Sequence, residues 1–267
     1  MRRKPTQAGR FYPGDAQTLQ KEVEKYFNKD AKKQKVLGAV VPHAGYIYSG
    51  KAAGEVYSRI EIPKNVIIIG PNHTGLGHPV SIMTKGSWEV PGGTVEINET
   101  LADNILEESK VSMADEEAHR FEHSIEVQIP FLQYFEKAFT FVPIVMSDYR
   151  AATCEVLGKA LTKAISRVKG EAIILASSDM SHYETLKVAQ QKDKIAIEKI
   201  LQLDPEGLLE VVSVHGISMC GAGPVATMLF ACKDLGAEKS ELVIYNTSAD
   251  SSGDTSAVVG YAGIIVR

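Results

Sequence analysis

Three histidines follow apolar stretches of the chain at the points where predicted β-strands end. They are His43, His73 and His182, and Asp179 lies in the same turn as His182. In an open α/β sheet, ligands bind beyond the carboxyl ends of the strands, where side chains from parallel strands converge. We therefore expect these four side chains to share one cleft.

Three imidazoles and a carboxylate in one cleft are suited to two kinds of chemistry. Neutral imidazole is a good ligand for iron, zinc and copper, so the cluster predicts a transition-metal site. Histidine also titrates near neutral pH, so the same side chains are equally suited to general acid–base catalysis. The residue types alone leave both interpretations open.

Cys220 adds a thiol to these candidates. The stretch MCGAGPVATMLF places it just before a predicted helix, and the positive end of a helix dipole lowers the pKa of a thiol. We therefore expect Cys220 to favour the thiolate, which binds metals or attacks carbon. The alternative is a small buried hydrophobic residue, which is also what we expect of Cys154 and Cys232 inside predicted helices.

A further polar cluster lies in the stretch DEEAHRFEHSIEVQIPFLQYF. Its apolar spacing favours a helix that begins near Phe121 and continues past Pro130. His123 and Glu126 would then lie on one side of that helix, three residues apart. His123 is either part of the site or part of an acidic turn that complements the helix dipole.

The elements that must position these side chains alternate between short apolar runs and amphipathic stretches. Continuous apolar runs are typical of strands buried on both faces, and their alternation with helices predicts an α/β fold with a mostly parallel central sheet flanked by helices. The predicted strands are Val36–Val41, Val66–Ile69, Phe139–Met146, Ala172–Ala176, Leu242–Tyr245 and Ala257–Val266; the predicted helices are Ala151–Val168, Lys187–Leu203 and Pro224–Leu235; and Val80–Ile97 predicts a hairpin or edge strands.

Length and composition narrow the possible functions. The chain has 267 residues without a recognisable linker or repeat, so we expect a single domain over residues 1–267. A net charge of −4 and the lack of a Lys/Arg stripe argue against nucleic acid as a partner. We expect no membrane span, no signal peptide and no nucleotide cofactor, because the required apolar runs and glycine-rich phosphate motifs are missing. Three widely spaced cysteines favour a reducing compartment, so we expect a cytoplasmic protein.

Several short motifs, taken in order, resemble those of the Memo family, which is named for a mediator of cell motility. The resemblance extends over essentially the whole chain. The motifs are AGRFYPGD at Ala8–Asp15, PHAGYIYSG at Pro42–Gly50, GPNHTG at Gly70–Gly75, EHSIEVQIPFLQ at Glu122–Gln133, SSDMSHY at Ser177–Tyr183, CGAGP at Cys220–Pro224 and the C-terminal SAVVGYAGIIV.

This resemblance implies a fold and a set of site residues. The family is similar in fold to the class III extradiol ring-cleaving dioxygenases (LigB-like), which bind iron(II) through two histidines and a glutamate. By position, the resemblance implies His43 and His73 as metal ligands, with Cys220 in place of the carboxylate. It implies His182 as the acid–base residue, with Asp179 beside it. A soft thiolate shifts the metal preference towards copper(I), zinc or a redox-altered iron.

Three functions follow from these residues. The first is a metal-dependent oxidoreductase of unknown substrate, in which His43, His73 and Cys220 hold iron(II) or copper. Asp179, His182 and His123 would then act on a small molecule in the pocket. The second, also implied by the resemblance, is a signalling or peptide-binding scaffold that uses the same pocket without catalysis. The third is a metal-free Cys220 nucleophile, which leaves the histidine pair without a role.

Overall fold

The chain folds around a nine-stranded mixed sheet and a separate three-stranded sheet. The computed structural model describes residues 2–267. The strands are β1 (Arg2–Arg3), β2 (Gly38–Val41), β3 (Asn65–Pro71), β4 (Val80–Ile82), β5 (Ser87–Val90), β6 (Gly93–Glu96), β7 (Met113–Ala114), β8 (Thr140–Met146), β9 (Ala172–Ser177), β10 (His182–Glu184), β11 (Ser240–Thr247) and β12 (Val258–Val266). The large sheet has the order β10-β12-β2-β9-β3-β8-β4-β7, with β11 paired to β12, and the small sheet has the order β1-β5-β6.

Four strands form the parallel centre of the large sheet. β2 pairs with β9, β9 with β3, and β3 with β8, all in parallel. On one side of this centre β12 pairs antiparallel with β2, and on the other β4 pairs antiparallel with β8. The predicted α/β class with a parallel centre is confirmed. The six predicted strands are present, with no end shifted by more than two residues.

Helices cover both faces of the sheet, which explains the continuous apolar runs in the sequence. Successive side chains of a strand point to opposite faces, so Val40, Ile67 and Ile69 join one core while Val41 and Ile68 join the other. The helices are α1 (Ala16–Lys25), α2 (Tyr46–Arg59), α3 (Glu99–Glu108), α4 (Ile129–Phe135), α5 (Ala151–Arg167), α6 (Leu186–Leu201), α7 (Pro205–Val214), α8 (Ala222–Asp234) and α9 (Ala249–Ser252).

Prolines and glycines set several element ends. Pro205 occupies the first turn of α7, where its missing N–H costs no hydrogen bond. The predicted hairpin is present as the antiparallel pair β5–β6.

The helix expected near Phe121 begins later than predicted. Residues before Glu126 form turns, a single 3₁₀ turn spans Glu126–Gln128, and α4 begins only at Ile129. Pro130 lies in the first turn of α4 and therefore marks a helix start. The side chains of His123 and Glu126 consequently project from a folded loop.

Candidate metal centre

The carboxyl ends of the parallel strands deliver the predicted histidines to one edge of the sheet. His43 follows the end of β2 by two residues, and His73 follows the end of β3 by two residues. His182 begins β10 just after the β9 turn that carries Asp179. His43, His73, His182 and Asp179 line the same cleft, together with His123 from the loop before α4.

Three imidazoles form the centre of the site. One nitrogen each from His43, His73 and His123 lies within 4.8 Å of the others. The rings of His73 and His123 stack, with their centroids 4.4 Å apart, while the ring of His43 stands edge-on to both at 5.2 and 5.4 Å. This arrangement leaves a small space bounded by ring nitrogens from three different parts of the chain.

Glu122 fixes the orientation of two of these histidines. Its Oε1 accepts hydrogen bonds from His73 Nδ1 and from the backbone N–H groups of His123 and Ser124, each at 2.9 Å, and Oε2 accepts one from the His73 backbone N–H at 2.6 Å. Burial acts to raise the pKa of Glu122, but these hydrogen bonds and the neighbouring histidines hold it at about 2. Because the carboxylate can only accept, His73 carries its proton on Nδ1 and presents a free Nε2.

A serine fixes the tautomer of His43 in a similar way. Ser177 Oγ donates to the Ser124 carbonyl oxygen at 2.6 Å and accepts from Gln128 Nε2 at 2.8 Å. Its one hydroxyl proton is therefore committed, so the contact with His43 Nδ1 at 3.0 Å requires Nδ1–H as the donor. His43 thus also presents a free Nε2, which is the form that binds metal.

Burial favours the neutral form of His43 and His123. It lowers the pKa of His43 well below the usual range, and the charges of His123 and His73 lower it further. Burial also lowers the pKa of His123 to about 4, against the opposing charge of Glu122. Neutral imidazoles are required of metal ligands, so the electrostatics suit cation binding.

Cys220 lies beside this cluster, directly before α8. Its Sγ is 3.2 Å from His43 Nε2 and accepts a hydrogen bond from the Asp179 backbone N–H at 3.3 Å. Gly221 permits this approach, because a Cβ there would collide with Ser178 and the Ser177 carbonyl oxygen. The three mutually close donors include His123 and omit Cys220, so the structure adds His123 to the candidate ligands.

The expectation of a lowered pKa for Cys220 is wrong for the metal-free chain. Burial raises the pKa of the Cys220 thiol, and the nearby carboxylate of Asp179 raises it further. Gly221 is the N-cap of α8, and Cys220 lies one residue before this N-cap, outside the helix. Desolvation of the thiolate outweighs the dipole of the helix. A free Cys220 nucleophile is therefore disfavoured.

Asp179 and His182 border the histidine cluster. Asp179 Oδ1 accepts a hydrogen bond from the His43 backbone N–H at 2.7 Å, which ties the two strand ends together. Burial raises the pKa of Asp179 to about 6, although the bond from His43 and the charge of His182 act against this rise. His182 Nδ1 donates to the Ser218 carbonyl oxygen at 2.9 Å, so its Nε2 is free to exchange a proton.

The cleft in front of these groups has a volume of about 550 Å³ and opens to the surface. Part of its lining comes from β12 and the segment between α9 and β12. Aromatic side chains supply much of the remaining lining: Phe11, Tyr48, Tyr183 and Tyr261. The space is sufficient for a small organic ligand.

The sequence did not reveal several residues of the site. Glu122 lies in the EHSIE motif, but its role depends on a loop whose path the helical pattern hid. Ser177 is a partner of His43, and Gln128 donates to Ser177, both across long sequence separations. Tyr261 lies in an apolar predicted strand, and this pattern indicated only that the residue would be buried. The one sequence signal for Glu122 was its place directly before His123, because a carboxylate often orients a ligand histidine.

The protein is an α/β protein with a histidine cluster at the carboxyl edge of the parallel strands. The crystal structure of an uncharacterised protein from Escherichia coli K12 shares the fold with a TM-score of 0.57, at 12% sequence identity, over 86% of this chain and 100% of that one. That similarity concerns the fold alone. None of the helices within residues 2–267 combines the length and apolarity that crossing a bilayer requires.

The family is shown by the sequence comparisons. The profile described as "Memo-like protein" matches residues 3–265. MEMO1 family proteins from Methanosarcina mazei and Ignicoccus hospitalis are 44% and 43% identical to the chain; the first match covers 99% of both chains, and the second covers 98% of this chain and 97% of the relative. The chain belongs to the Memo family.

Proposed function

We propose that the cleft holds a single transition-metal ion, iron(II) or copper, and that the protein is a metal-dependent oxidoreductase acting on a small organic molecule. The observation that carries this proposal is the convergence of His43, His73 and His123, whose donor nitrogens lie within 4.8 Å of one another. The rings of His43 and His73 are held by hydrogen-bonding partners, as metal-binding histidines usually are.

The donor set fits such an ion. Two nitrogen donors about 2.0–2.1 Å from one metal lie at most about 4.2 Å apart, so only small side-chain rotations would bring the three rings into range. His43 and His73 each present a free Nε2, fixed by Ser177 and Glu122 respectively. Iron and copper accept imidazole readily, whereas magnesium and calcium prefer oxygen ligands.

Two side chains compete for the third position. Cys220 is supported by its motif and by the 3.2 Å between its Sγ and His43 Nε2. His123 is supported by its place in the three-imidazole cluster. Metal binding promotes loss of a thiol proton, so the raised pKa of free Cys220 does not exclude it. If Cys220 takes the position, His123 remains as an acid–base group beside His73.

The remaining residues of the site would bind and orient the substrate and move protons. His182 would accept a proton at Nε2 from a ligand in the cleft, while Ser218 holds its ring. Asp179 would keep the segment around His43 in place through the hydrogen bond to the His43 backbone. When bound, iron(II) or copper supplies redox chemistry and open coordination positions.

Oxygen uptake by metal-loaded protein tests the catalytic part of the proposal. Protein purified without oxygen would be loaded with iron(II) or copper(I) and screened against small aromatic and aliphatic substrates with an oxygen electrode. We expect substrate-dependent uptake that falls by about 10²-fold or more in His182→Gln, because a general base contributes about that much. Protein that binds the metal but takes up no oxygen with any substrate would contradict the proposed oxidoreductase activity.

A non-enzymatic binding scaffold is the second candidate, and one observation favours it. Ile47, Tyr48 and Tyr183 are large hydrophobic residues that remain exposed, and the two tyrosines line the cleft. Exposed aromatic residues around a pocket are common at peptide-binding sites. Under this alternative, substitutions in the cleft abolish capture of a peptide partner while oxygen uptake stays at the level of a blank.

A further inference from the structure

The side chain of Tyr261 is buried, and its hydroxyl opens onto the cleft without a protein partner. The residue lies on β12, is 1% exposed and lines the cleft. The nearest charged and phenolic groups are Asp179, Tyr48 and Tyr183, and none of the described residues hydrogen-bonds to its Oη. Other well-buried tyrosines do have partners: Tyr12 donates to Glu126, Tyr46 to the Val127 carbonyl oxygen and Tyr57 to Gln128.

Buried side chains usually pair their polar atoms with protein partners, so a hydroxyl that the fold leaves unpaired at the wall of a cleft is available to a bound molecule. Because Tyr261 borders the cleft, a molecule bound there can supply the missing partner. The hydroxyl of Tyr261 is therefore placed to bind a polar group of a ligand.

Tyr183 forms part of the mouth of the same cleft in an unfavourable backbone conformation. Its φ angle is 59°, in the left-handed region, where non-glycine residues are uncommon. It occupies the irregularity between His182 and Glu184 where β10 pairs with β12, and its side chain is 80% exposed. Strain of this kind tends to persist at ligand-binding positions.

In the metal-free protein, the charges of the cleft disfavour anions. Among the described residues that line it, none is lysine or arginine, while Asp179 and Asp254 contribute carboxyl groups. Hydrogen bonds from Ser256 lower the pKa of Asp254, which keeps its carboxylate ionised at neutral pH. An anionic ligand would therefore meet repulsion at the mouth and no cationic side chain inside.

We propose that Tyr261 is a ligand-binding residue of this cleft, that Tyr183 and Tyr48 flank the ring of an aromatic ligand, and that the metal-free cleft accepts neutral or cationic ligands over anionic ones. The proposal deepens the proposed function by naming the ligand class of the same site. It concerns only side chains of this chain, so it is testable in metal-free protein.

Four small probes test the hydrogen bond and the charge preference separately. They are 4-ethylphenol, ethylbenzene, tyramine and 3-(4-hydroxyphenyl)propionate, and their Kd values for chelator-treated protein would be measured by ligand-observed NMR. Tyr261→Phe is expected to raise the Kd of 4-ethylphenol by about 2–12-fold, the equivalent of one neutral hydrogen bond. The Kd of ethylbenzene, which lacks the hydroxyl, is expected to stay the same.

The charge arm compares probes that share the phenol ring. Tyramine should bind at least as tightly as 4-ethylphenol, and the propionate about fivefold more weakly, the equivalent of about 1 kcal/mol between unit charges near 4 Å in water. Asp254→Asn should narrow the difference between tyramine and the propionate. Asp103→Asn, on the exposed side of α3, is the matched control and should leave it unchanged.

Several outcomes would overturn the proposal. They are an equal rise in Kd for 4-ethylphenol and ethylbenzene, a propionate that binds as tightly as tyramine, and no saturable binding of any probe at millimolar concentration. Metal content distinguishes this failure from failure of the metal site, because Tyr261→Phe should load as much metal as the wild type. Wild-type protein that binds the phenols but no metal would contradict only the proposed metal centre.

Discussion

Arg3 and Glu126 form a buried ion pair although they are 123 positions apart in the sequence. Arg3 Nη1 lies 2.7 Å from Glu126 Oε2, and the two side chains are 3% and 0% exposed. Arg3 also donates to the carbonyl oxygens of His119 and Glu122, and Glu126 accepts from the Tyr12 hydroxyl. The pair therefore anchors the loop that carries Glu122 and His123 to the N-terminal segment.

Breaking this pair should loosen the site as well as the fold. Because the remaining charge would be buried without a partner, Arg3→Met or Glu126→Gln is expected to lower the free energy of unfolding by about 3–5 kcal/mol. Urea unfolding measures this loss. Arg2→Met removes the more exposed pair with Glu89 and serves as the control, with an expected loss of at most about 1 kcal/mol. Similar losses in the buried and exposed variants would contradict the anchoring role.

Glu122 should control metal affinity without being a ligand. Glu122→Gln removes the carboxylate that accepts from His73 Nδ1, so the metal affinity is expected to fall by about 10–100-fold. Competition with a chromogenic chelator would measure the change. Glu117→Gln, an exposed substitution earlier in the same loop, should have no effect. Equal affinities for wild type and Glu122→Gln would show that this carboxylate does not orient the ligands.

Cobalt(II) substitution should identify the third ligand. If Cys220 binds the metal, the wild-type protein will show an intense near-ultraviolet band from thiolate-to-cobalt charge transfer, and Cys220→Ser will lose that band. If His123 takes the position, the band will be absent from the wild type and His123→Phe will lose affinity instead. Cys232→Ser, a buried cysteine away from the cleft, is the control. We expect the band, on the strength of the 3.2 Å contact between Cys220 and His43.

His119 should make stability depend on pH. The residue is fully buried, and neither of its ring nitrogens has a partner among the described residues. Burial, together with the charge of Arg3, lowers its pKa to about 3. Below pH 6.5 the unfolded chain takes up a proton that the folded chain refuses, so the free energy of unfolding falls by about 1.4 kcal/mol per pH unit towards pH 3.

Removal of the imidazole should flatten this dependence. His119→Leu is expected to lose less stability than the wild type between pH 7 and pH 4, and urea unfolding at several pH values would show the difference. His215→Gln, at an exposed position, should follow the wild-type curve. Parallel curves for wild type and His119→Leu would mean that another group accounts for the acid sensitivity.

The sequence predicted the parts of the structure that depend on local patterns. A continuous apolar run such as Val66–Ile69 is typical of a strand that is buried between two layers of helices. Such runs therefore predicted a central sheet with mostly parallel strands. Once the strands were parallel, His43, His73 and His182 had to meet at one edge. The elements that determine their placement are short in sequence and strongly apolar, which is why they were predictable.

The remaining parts depend on contacts that no local pattern encodes. The loop with Glu122 and His123 is held by Arg3, more than 100 positions away, and its apolar spacing imitates a helix. Burial determines the pKa of the Cys220 thiol more strongly than the dipole of α8 does. The pKa is therefore raised, whereas the sequence predicted that it would be lowered. Tyr261 is one apolar-strand residue among many until the fold turns it towards the cleft.

The metal content of the protein tests the central claim most directly. Wild-type protein, purified without oxygen, loaded with iron(II) or copper(I) and freed of excess metal, should contain about one metal ion per chain by elemental analysis. The double variant His43→Ala/His73→Ala should contain almost none while keeping the wild-type circular dichroism spectrum. Wild-type protein that retains no metal after loading, or a folded double variant that retains as much as the wild type, would contradict the account.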